Sequence, residues 1–401
     1  MSLAIQSFID QTKTMQKFDV IIIGAGPAGA MAAIEVAKQG LSVAVLEKLI
    51  LPRRKVCAGG LVKRAVKLIP SEIKYPIEQQ CHTITMKAKH LNMQFVETQK
   101  DLVTMVCRSS FDEALIKHAS GLGVQVWDNT NVLHITPTQN NIILESNQGV
   151  FSSQYLIFAE GAMAKLSNQF WKDNRILLPS LEADVYASDK QLKAHQNAMF
   201  DFSVIRGGYA WVFPKGNHLS IGLAVMNKTC KTQLQQAFDG YLQTLGLTGA
   251  KVVNRKGFII PLSPRSEPLA RGRMLLVGDT AGLADPITAE GLTYAIQSGL
   301  GAGKAVSQAF EHPEEVVKIY LTQTIQPILN ELRIARLLAK VIYHPNTMLR
   351  NIVFKHYGNR LCTGMADLIS GTRDYASSLE KHPFLKKVIK KLPHKQQIDN
   401  V

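Results

Sequence analysis

The stretch "KFDVIIIGAGPAGAMAAIEVAKQGLSVAVLEK", residues 17–48, restricts the fold more than any other part of the chain. Val20–Ile23 is β-branched and apolar, as a strand buried on both faces would be. Gly24-Ala25-Gly26-Pro27-Ala28-Gly29 then opens a helix of small residues that runs to about Gln39, and a second strand, Ser42–Leu46, ends at Glu47. A Gly-x-Gly-x-x-Gly run says little alone. Between a strand and a helix, with an acid closing the next strand, it is the dinucleotide-binding βαβ pattern. Gly24 permits the tight turn, and Gly26 lets backbone approach a pyrophosphate at the helix N-terminus. Gly29 lets helix and strand pack closely, with Ala28 in the same turn. Glu47, followed by Lys48, stands where a carboxylate can accept hydrogen bonds from the ribose hydroxyls of an adenosine.

The chain has 401 residues, enough for one large domain or two interleaved ones. Its 46 Lys and Arg against 31 Asp and Glu leave a net charge of +15. That balance favours an anionic partner: nucleic acid, an anionic membrane surface or a phosphorylated substrate. Cys57, Cys81, Cys107, Cys230 and Cys362 are widely spaced with no C-x-x-C, which fits a reducing compartment. The first residues lack the basic-then-apolar build of a secretory signal, and no uncharged apolar run is long enough to span a bilayer. A cytoplasmic protein is expected, able to touch the inner face of a membrane without crossing it. The histidines show no H-E-x-x-H or similar spacing, so no metal site is expected.

Remote segments must decide between FAD and NAD. "MLLVGDTAGLADPITAEGLTYAIQSGLGAG", from Met274, reads as a buried strand Met274–Val277, then Gly278-Asp279, a loop through Pro286 and a helix from about Thr288. It resembles the second flavin-binding signature of the glutathione-reductase-like FAD proteins. The resemblance implies that Gly278 and Asp279 meet the ribitol, that the helix start is aimed at the flavin, and that Gly291 and Leu292 also touch the cofactor. A helix N-terminus there stabilises the negative charge of reduced flavin. Gly291, Ala295, Ser298 and Gly299 are small, as close approach to cofactor and sheet demands.

In "CRSSFDEAL" Ser110 and Glu113 have capping-box spacing and predict a short helix from Ser110 to Gly121. The same superfamily resemblance places Arg108 near the flavin pyrophosphate; an ordinary surface arginine before a helix is the other reading, and both stay open. "GVQVW", residues 123–127, reads as an edge strand beside the adenine, which brings in Val126. "YLIFAEGAMAKLS", from Tyr155, resembles the strand-plus-Asp-Gly segment of flavin hydroxylases, with Glu160 in place of Asp. No second Gly-x-Gly-x-x-Gly in a βαβ context appears, so no separate nicotinamide domain is expected.

"GGYAWVFPKGNHLSIGLAV" begins at Gly207. Tyr209, Trp211 and Phe213 stand two apart and in a strand project from one face. The residues alone allow a sheet face that covers a core. The row also resembles the YxWxFPK signature of the geranylgeranyl reductase family, FAD enzymes that saturate isoprenoid double bonds, with Tyr209, Trp211, Phe213, Pro214, Lys215 and the later Gly222 fitting it. "RRKVCAGGLVKR", residues 53–64, is similar to the family's Lys-Cys-Gly segment through Lys55, Cys57, Gly59 and Gly60. Ala58 stands where another glycine is common, and Ala289 replaces a usual glycine before Glu290-Gly291. The resemblance runs from about residue 18 to about 305; the last ninety or so residues match no family pattern.

This resemblance implies that Cys57, Ala58 and Gly59 border the flavin ring and that Tyr209, Trp211, Phe213 and Pro286 shape an apolar substrate tunnel. A trisubstituted alkene is a poor hydride acceptor, so a proton must be supplied from an acid. Cys57 is the implied source or relay, with Lys55 acting on it. An ordinary thiol, with a pKa of about 8.5, is mostly protonated at neutral pH, which suits an acid; a close lysine works against that. The other reading makes Cys57 a small buried hydrophobe in a tight turn. Both stay open.

In "KHPFLKKVIKKLPHK", residues 381–395, Leu385, Val388, Ile389 and Leu392 share a helical face and Lys386, Lys387, Lys390 and Lys391 fill the other. Such a segment can lie on an anionic bilayer or dock its stripe on the protein. No nucleic-acid module accompanies the lysines, so no nucleic-acid partner is expected.

The expected fold is α/β: a glutathione-reductase-like FAD-binding Rossmann domain from residues 1–75, 104–165 and 270–310. A sheet-rich substrate domain from 76–103 and 166–269 is inserted in it, and a helical region, 311–401, follows. The expected activity is FAD-dependent reduction of C=C bonds in a polyprenyl chain of a lipid, quinone or pigment precursor. The substrate is a hydrophobic isoprenoid, and the electron donor is external, NAD(P)H or a ferredoxin-like protein. The alternatives are a flavin hydroxylase, a flavin halogenase (whose W-x-W-x-I-P strand Tyr209 and Phe213 alter) and a flavin electron carrier without chemistry of its own.

Overall fold

Two large sheets organise the molecule, one mostly parallel with a buried centre, the other mostly antiparallel with two different faces. The computed structural model describes residues 15–88, 91–96, 101–230 and 232–380; the lysine-rich stretch 381–395 lies outside them. In the first sheet, strand Gln16–Ile23 runs parallel between Val43–Leu46 and Gly149–Phe158. Gln125–Trp127 joins the outer side of Val43–Leu46, and Met274–Leu276 that of Gly149–Phe158, again parallel. Val20, Ile21 and Ile22 are fully buried, the reason this strand is a continuous apolar run rather than an alternating one. A hairpin, Val132–Pro137 with Ile142–Ser146, extends from Gly149–Phe158.

Helices Pro27–Ala37 and Leu292–Gln308 pack against each other. A Cβ on Gly299 would fall 2.2 Å from the Ala28 carbonyl oxygen. At this position the small residue therefore serves contact between two helices rather than approach to a cofactor.

Two helix starts differ from the sequence expectation. Thr288 does not begin a helix: Asp285 Oδ1 accepts the Ile287 and Thr288 amides at 2.7 and 2.9 Å and closes a turn, and the helix starts at Leu292 after Gly291. Ser110 is not a cap. The helix spans Arg108–Gly121, two residues longer, because Arg108 bonds Asp112 one turn on with two nitrogens. Glu160 has a structural use of its own. Its two carboxylate oxygens accept the Leu166 and Ser167 amides at 2.7 and 2.9 Å, tying down the short 3-10 turn Ser167–Gln169.

The second sheet runs in the order Lys251–Pro261, Leu177–Tyr186, Leu219–Val225, Gly208–Pro214, Ala198–Asp201, Thr83–Ala88, Leu91–Val96. Alternation along Gly208–Pro214 divides two cores. Ala210 and Val212 join Ile221, Leu223 and Phe238 beneath helix Leu234–Thr244, while Tyr209, Trp211 and Phe213 face the main core.

A small sheet of Gly60–Val62, Val103–Met105 and Gln79–Cys81 joins the two layers. Lys215, at the end of the aromatic strand, locks this junction. Its ammonium is buried and donates to the Val106 carbonyl at 2.6 Å and to Glu78 Oε2 at 3.1 Å.

The chain then forms helix Pro313–Ile319, a wide π-type turn Tyr320–Ile325, and helices Gln326–Ile342, Thr347–Ser370 and Tyr375–Glu380. Tyr320 donates its hydroxyl to the Leu276 carbonyl at 2.7 Å, anchoring this region to the first sheet. Helix Thr347–Ser370 packs on strands Thr83–Ala88 and Leu91–Val96. Among the described residues, no helix is long and apolar enough to cross a membrane, and no cluster of three or more His, Cys, Asp or Glu side chains could hold a metal.

Candidate active site

The parallel strands end at Ile23, Leu46, Phe158 and Leu276, and the loops beyond them border one cavity of about 680 Å³. Carboxyl ends of parallel strands are where open α/β sheets leave room for ligands.

Backbone makes one end of the cavity. Gly24 has φ +107°, and a Cβ there would sit 2.3 Å from the Ala159 carbonyl oxygen, so the turn admits glycine alone. A Cβ on Gly26 would meet Arg53 Nη2 at 3.5 Å, which leaves this backbone open to the cavity. Pro27 begins the helix without wasting an amide, and Ala28 lines the cavity beside it. Gly29 lies behind the turn, where a Cβ would be 2.0 Å from the Gly24 carbonyl oxygen.

Glu47 borders this end, already engaged. Its Oε2 accepts the Ala25 amide and Arg53 Nε, both at 3.1 Å, and its Oε1 accepts the Leu49 amide at 3.1 Å. Arg53 reaches on to Asp112 at 3.0 Å, and Arg108 grips the same carboxylate at 2.9 and 3.0 Å. Arg108 is thus buried rather than a surface residue. Burial opposes its charge, but Asp112 holds the guanidinium more basic than usual. Lys48 lies exposed at the cavity edge.

The loop of residues 53–59 forms the middle. Cys57 is a half-buried free thiol. Its amide donates to Glu182 Oε1 at 2.9 Å, and its sulfur accepts the Gly59 amide at 3.4 Å. Gly59 has φ +66°, and a Cβ there would fall 2.1 Å from the Val106 carbonyl oxygen, so the loop lies flat on the backbone just after strand Val103–Met105. Lys55 Nζ sits 3.8 Å from the Phe258 ring centroid. Burial pushes its amine below the usual range, while Asp279 pulls the other way. Ala58, Asp279, Gly291 and Leu292 also line the cavity.

The far end is made of side chains. Tyr209, Trp211 and Phe213 line it with Phe200 and Phe202, and all five are buried. Trp211 lies across Gly222 on the neighbouring strand, where a Cβ would be 2.1 Å from the indole. Its Nε1 is buried and has no partner among the described residues. Tyr209 donates its hydroxyl to the Thr288 carbonyl, and burial raises its pKa far above the usual phenol value. Leu361, Met365 and Leu368 of helix Thr347–Ser370 complete this wall.

Gly29, Val126, Gly278 and Pro286, assigned to cofactor or substrate from sequence, do not line the cavity, nor do Ser298 and Gly299. Gly278 donates its amide to Ser298 Oγ at 2.9 Å behind the site, and at Pro286 it is the neighbours Asp285 and Ile287 that reach the cavity. Arg53, Glu182 and helix Thr347–Ser370 line the cavity beyond the residues that the sequence assigns to it. Arg53 was visible as the first residue of a basic run. Glu182 was visible as a carboxyl alternating with Leu181 and Ala183 in "LLPSLEADVY". Leu361, Met365 and Leu368 have helical spacing, but nothing in the chain's order says which cavity they meet. A buried network closes the region beside them: Arg64 holds Glu290 at 3.0 Å, and Tyr375 donates to Asp285 Oδ2 at 2.6 Å.

With this geometry in place, comparison with known proteins gives three findings. A family model described as an FAD binding domain matches residues 17–312. An uncharacterized protein of Methanosarcina barkeri is 30% identical over 349 residues, 86% of this chain and 88% of its own, and digeranylgeranylglycerophospholipid reductase 1 of Methanococcoides burtonii is 25% identical across 76% of this chain and 78% of its own. The crystal structure of a geranylgeranyl bacteriochlorophyll reductase-like protein from Thermoplasma acidophilum shares the fold, with a TM-score of 0.74 at 20% identity, covering 93% of this chain and 100% of that one.

Proposed function

We infer the function from one premise: the chain belongs to the FAD-binding domain family. It is an FAD-dependent oxidoreductase, and the reaction that fits it best is reduction of C=C bonds in a polyprenyl chain of geranylgeranyl type, carried by a lipid, quinone or pigment precursor. One observation carries this reading. A single cavity joins a backbone-made cradle at the strand ends to an aromatic chamber of the second sheet.

The cradle suits FAD because Gly24 and Gly26 keep side chains out of it, while Glu47 and Asp279 supply carboxylates at its border. Gly24, Gly26, Ala28 and the start of helix Pro27–Ala37 would hold the pyrophosphate, Glu47 the adenosine ribose, and Asp279 the ribitol. Ala58, Gly59, Gly291 and Leu292 would border the ring. When bound and reduced, FAD supplies the hydride that saturation of a C=C bond requires. The rest falls to the protein. Tyr209, Trp211 and Phe213 exclude water and orient an extended apolar chain. Cys57 holds a proton at Sγ for the alkene carbon that does not receive the hydride, and Arg108 and Lys55 set the charge around that sulfur.

The test is anaerobic mixing of dithionite-reduced protein with polyprenyl substrates, read by mass spectrometry. Gain of two hydrogens per bond supports the reading. In a parallel run with oxygen admitted, a gain of one oxygen atom would make the protein a hydroxylase, and a substrate unchanged in both runs a carrier of electrons or lipid. The same assay run with NAD(P)H or a reduced ferredoxin-like protein identifies the donor. A vesicle flotation assay with anionic lipids examines membrane contact.

A further inference from the structure

We propose that Glu182 is a positioning residue for the reduction: its carboxylate fixes the loop that carries Cys57, and its grip follows its own charge. The inference rests on the reading above for its link to turnover, but the geometry is independent of it. Glu182 stands on strand Leu177–Tyr186 of the second sheet, whereas Cys57 belongs to a loop pinned to the small sheet through Gly59 and Val106. The bond from the Cys57 amide to Glu182 Oε1 at 2.9 Å therefore joins two separately built walls of one cavity.

Alternation explains the carboxyl's direction. Leu181, Ala183 and Val185 enter the core beneath helix Leu234–Thr244, so Glu182 projects from the opposite face, toward the cavity. A charged acceptor bonds an amide about twice as strongly as a neutral one. Deprotonation thus tightens the loop and protonation loosens it.

The surroundings put this change near neutrality. Burial raises the Glu182 carboxyl to about 7, helped by Asp184 on its own strand and opposed by the Cys57 amide, by Lys215 at the end of the aromatic strand and by Arg54 on the loop. Lys256 is its register partner on the adjacent strand. No proton need pass from Glu182 to substrate. The carboxyl acts through the placement of the thiol.

The experiment is amide hydrogen–deuterium exchange at Cys57 in the full-length, FAD-loaded protein, corrected for intrinsic exchange, from pH 6 to pH 8. Protection is expected to rise about 10-fold across that range in the wild type. Glu182→Gln retains an oxygen acceptor but does not titrate, and is expected to hold the low-pH value throughout. Equal protection at both pH values in the wild type, or a Glu182→Gln variant that follows the wild-type curve, overturns the proposal. If Glu182→Gln fails to retain FAD, the wild-type curve and Glu182→Asp, which keeps the charge and is expected to restore part of the rise, decide it. In turnover, Glu182→Gln is expected to lower kcat about 10-fold with little change in KM and to flatten the pH profile between 6 and 8; an unchanged profile overturns the link to reduction. Absence of polyprenyl reduction by the wild type would defeat the functional reading while the exchange result still judged the anchor.

Discussion

The two ends of the cavity are built from different materials. The cradle at Gly24–Ala28 is backbone from one continuous segment, and its shape depends on atoms that are absent. The chamber at Tyr209, Trp211 and Phe213 is side-chain volume, assembled from the second sheet and the C-terminal helices. A backbone cradle fails abruptly when a methyl group is added. A wall of rings loses function by degrees as its volume changes. This difference can be tested by substitutions that grade from one end to the other.

The largest effect is expected at the cradle. Gly24→Ala places a Cβ 2.3 Å from a fixed carbonyl oxygen in a left-handed conformation, and should yield protein without flavin absorbance. A bound flavin at normal stoichiometry would break the contrast. The junction between the ends comes next. Lys215→Met strips a buried charge from Glu78 and the Val106 carbonyl and should cost about 3 kcal/mol in denaturant unfolding. In the chamber, Gly222→Ala forces the indole of Trp211 aside, and a loss of about 2 kcal/mol with an altered near-UV circular dichroism signal is expected, FAD remaining bound. Trp211→Leu should raise KM for a long polyprenyl substrate about 10-fold, near 1.4 kcal/mol, with the flavin spectrum unchanged.

The smallest effect is a pH dependence. The carboxyl of Glu182 moves up from 4.5 to about 7 on burial. Between those values the folded chain keeps a proton that the unfolded chain has released, so stability falls as pH rises through the window and levels off above it. Glutamine does not titrate. The Tm of Glu182→Gln relative to wild type should therefore climb by a few degrees between pH 4.5 and pH 8, and a flat difference would show that the carboxyl is not buried as described.

Legibility followed the same division. The cradle could be read directly, since its strand, glycine turn, helix and closing acid lie within 31 consecutive positions, 17 to 47. The alternation of Tyr209, Trp211 and Phe213 was equally local. The helix starts that spacing predicts at Ser110 and near Thr288 lie instead at Arg108 and Leu292, because a bidentate Arg108–Asp112 pair and an Asp285 turn outweigh spacing. Cys57 was conspicuous as a thiol, but Glu182, 125 positions away, carried no local sign of touching it.

Residue order alone settled the dinucleotide-binding βαβ unit, the two-faced aromatic strand and the chemical types available at the site. These depend on spacing within a helix or strand, which the backbone's own periodicity enforces. Only tertiary packing decided that Arg108 is buried against Asp112, that Glu182 holds the Cys57 loop, and that helix Thr347–Ser370 walls the chamber. Such contacts arise when surfaces far apart in the chain are pressed together to bury apolar area, and the exclusion of water then sets both the partners and the protonation of the polar groups caught between them.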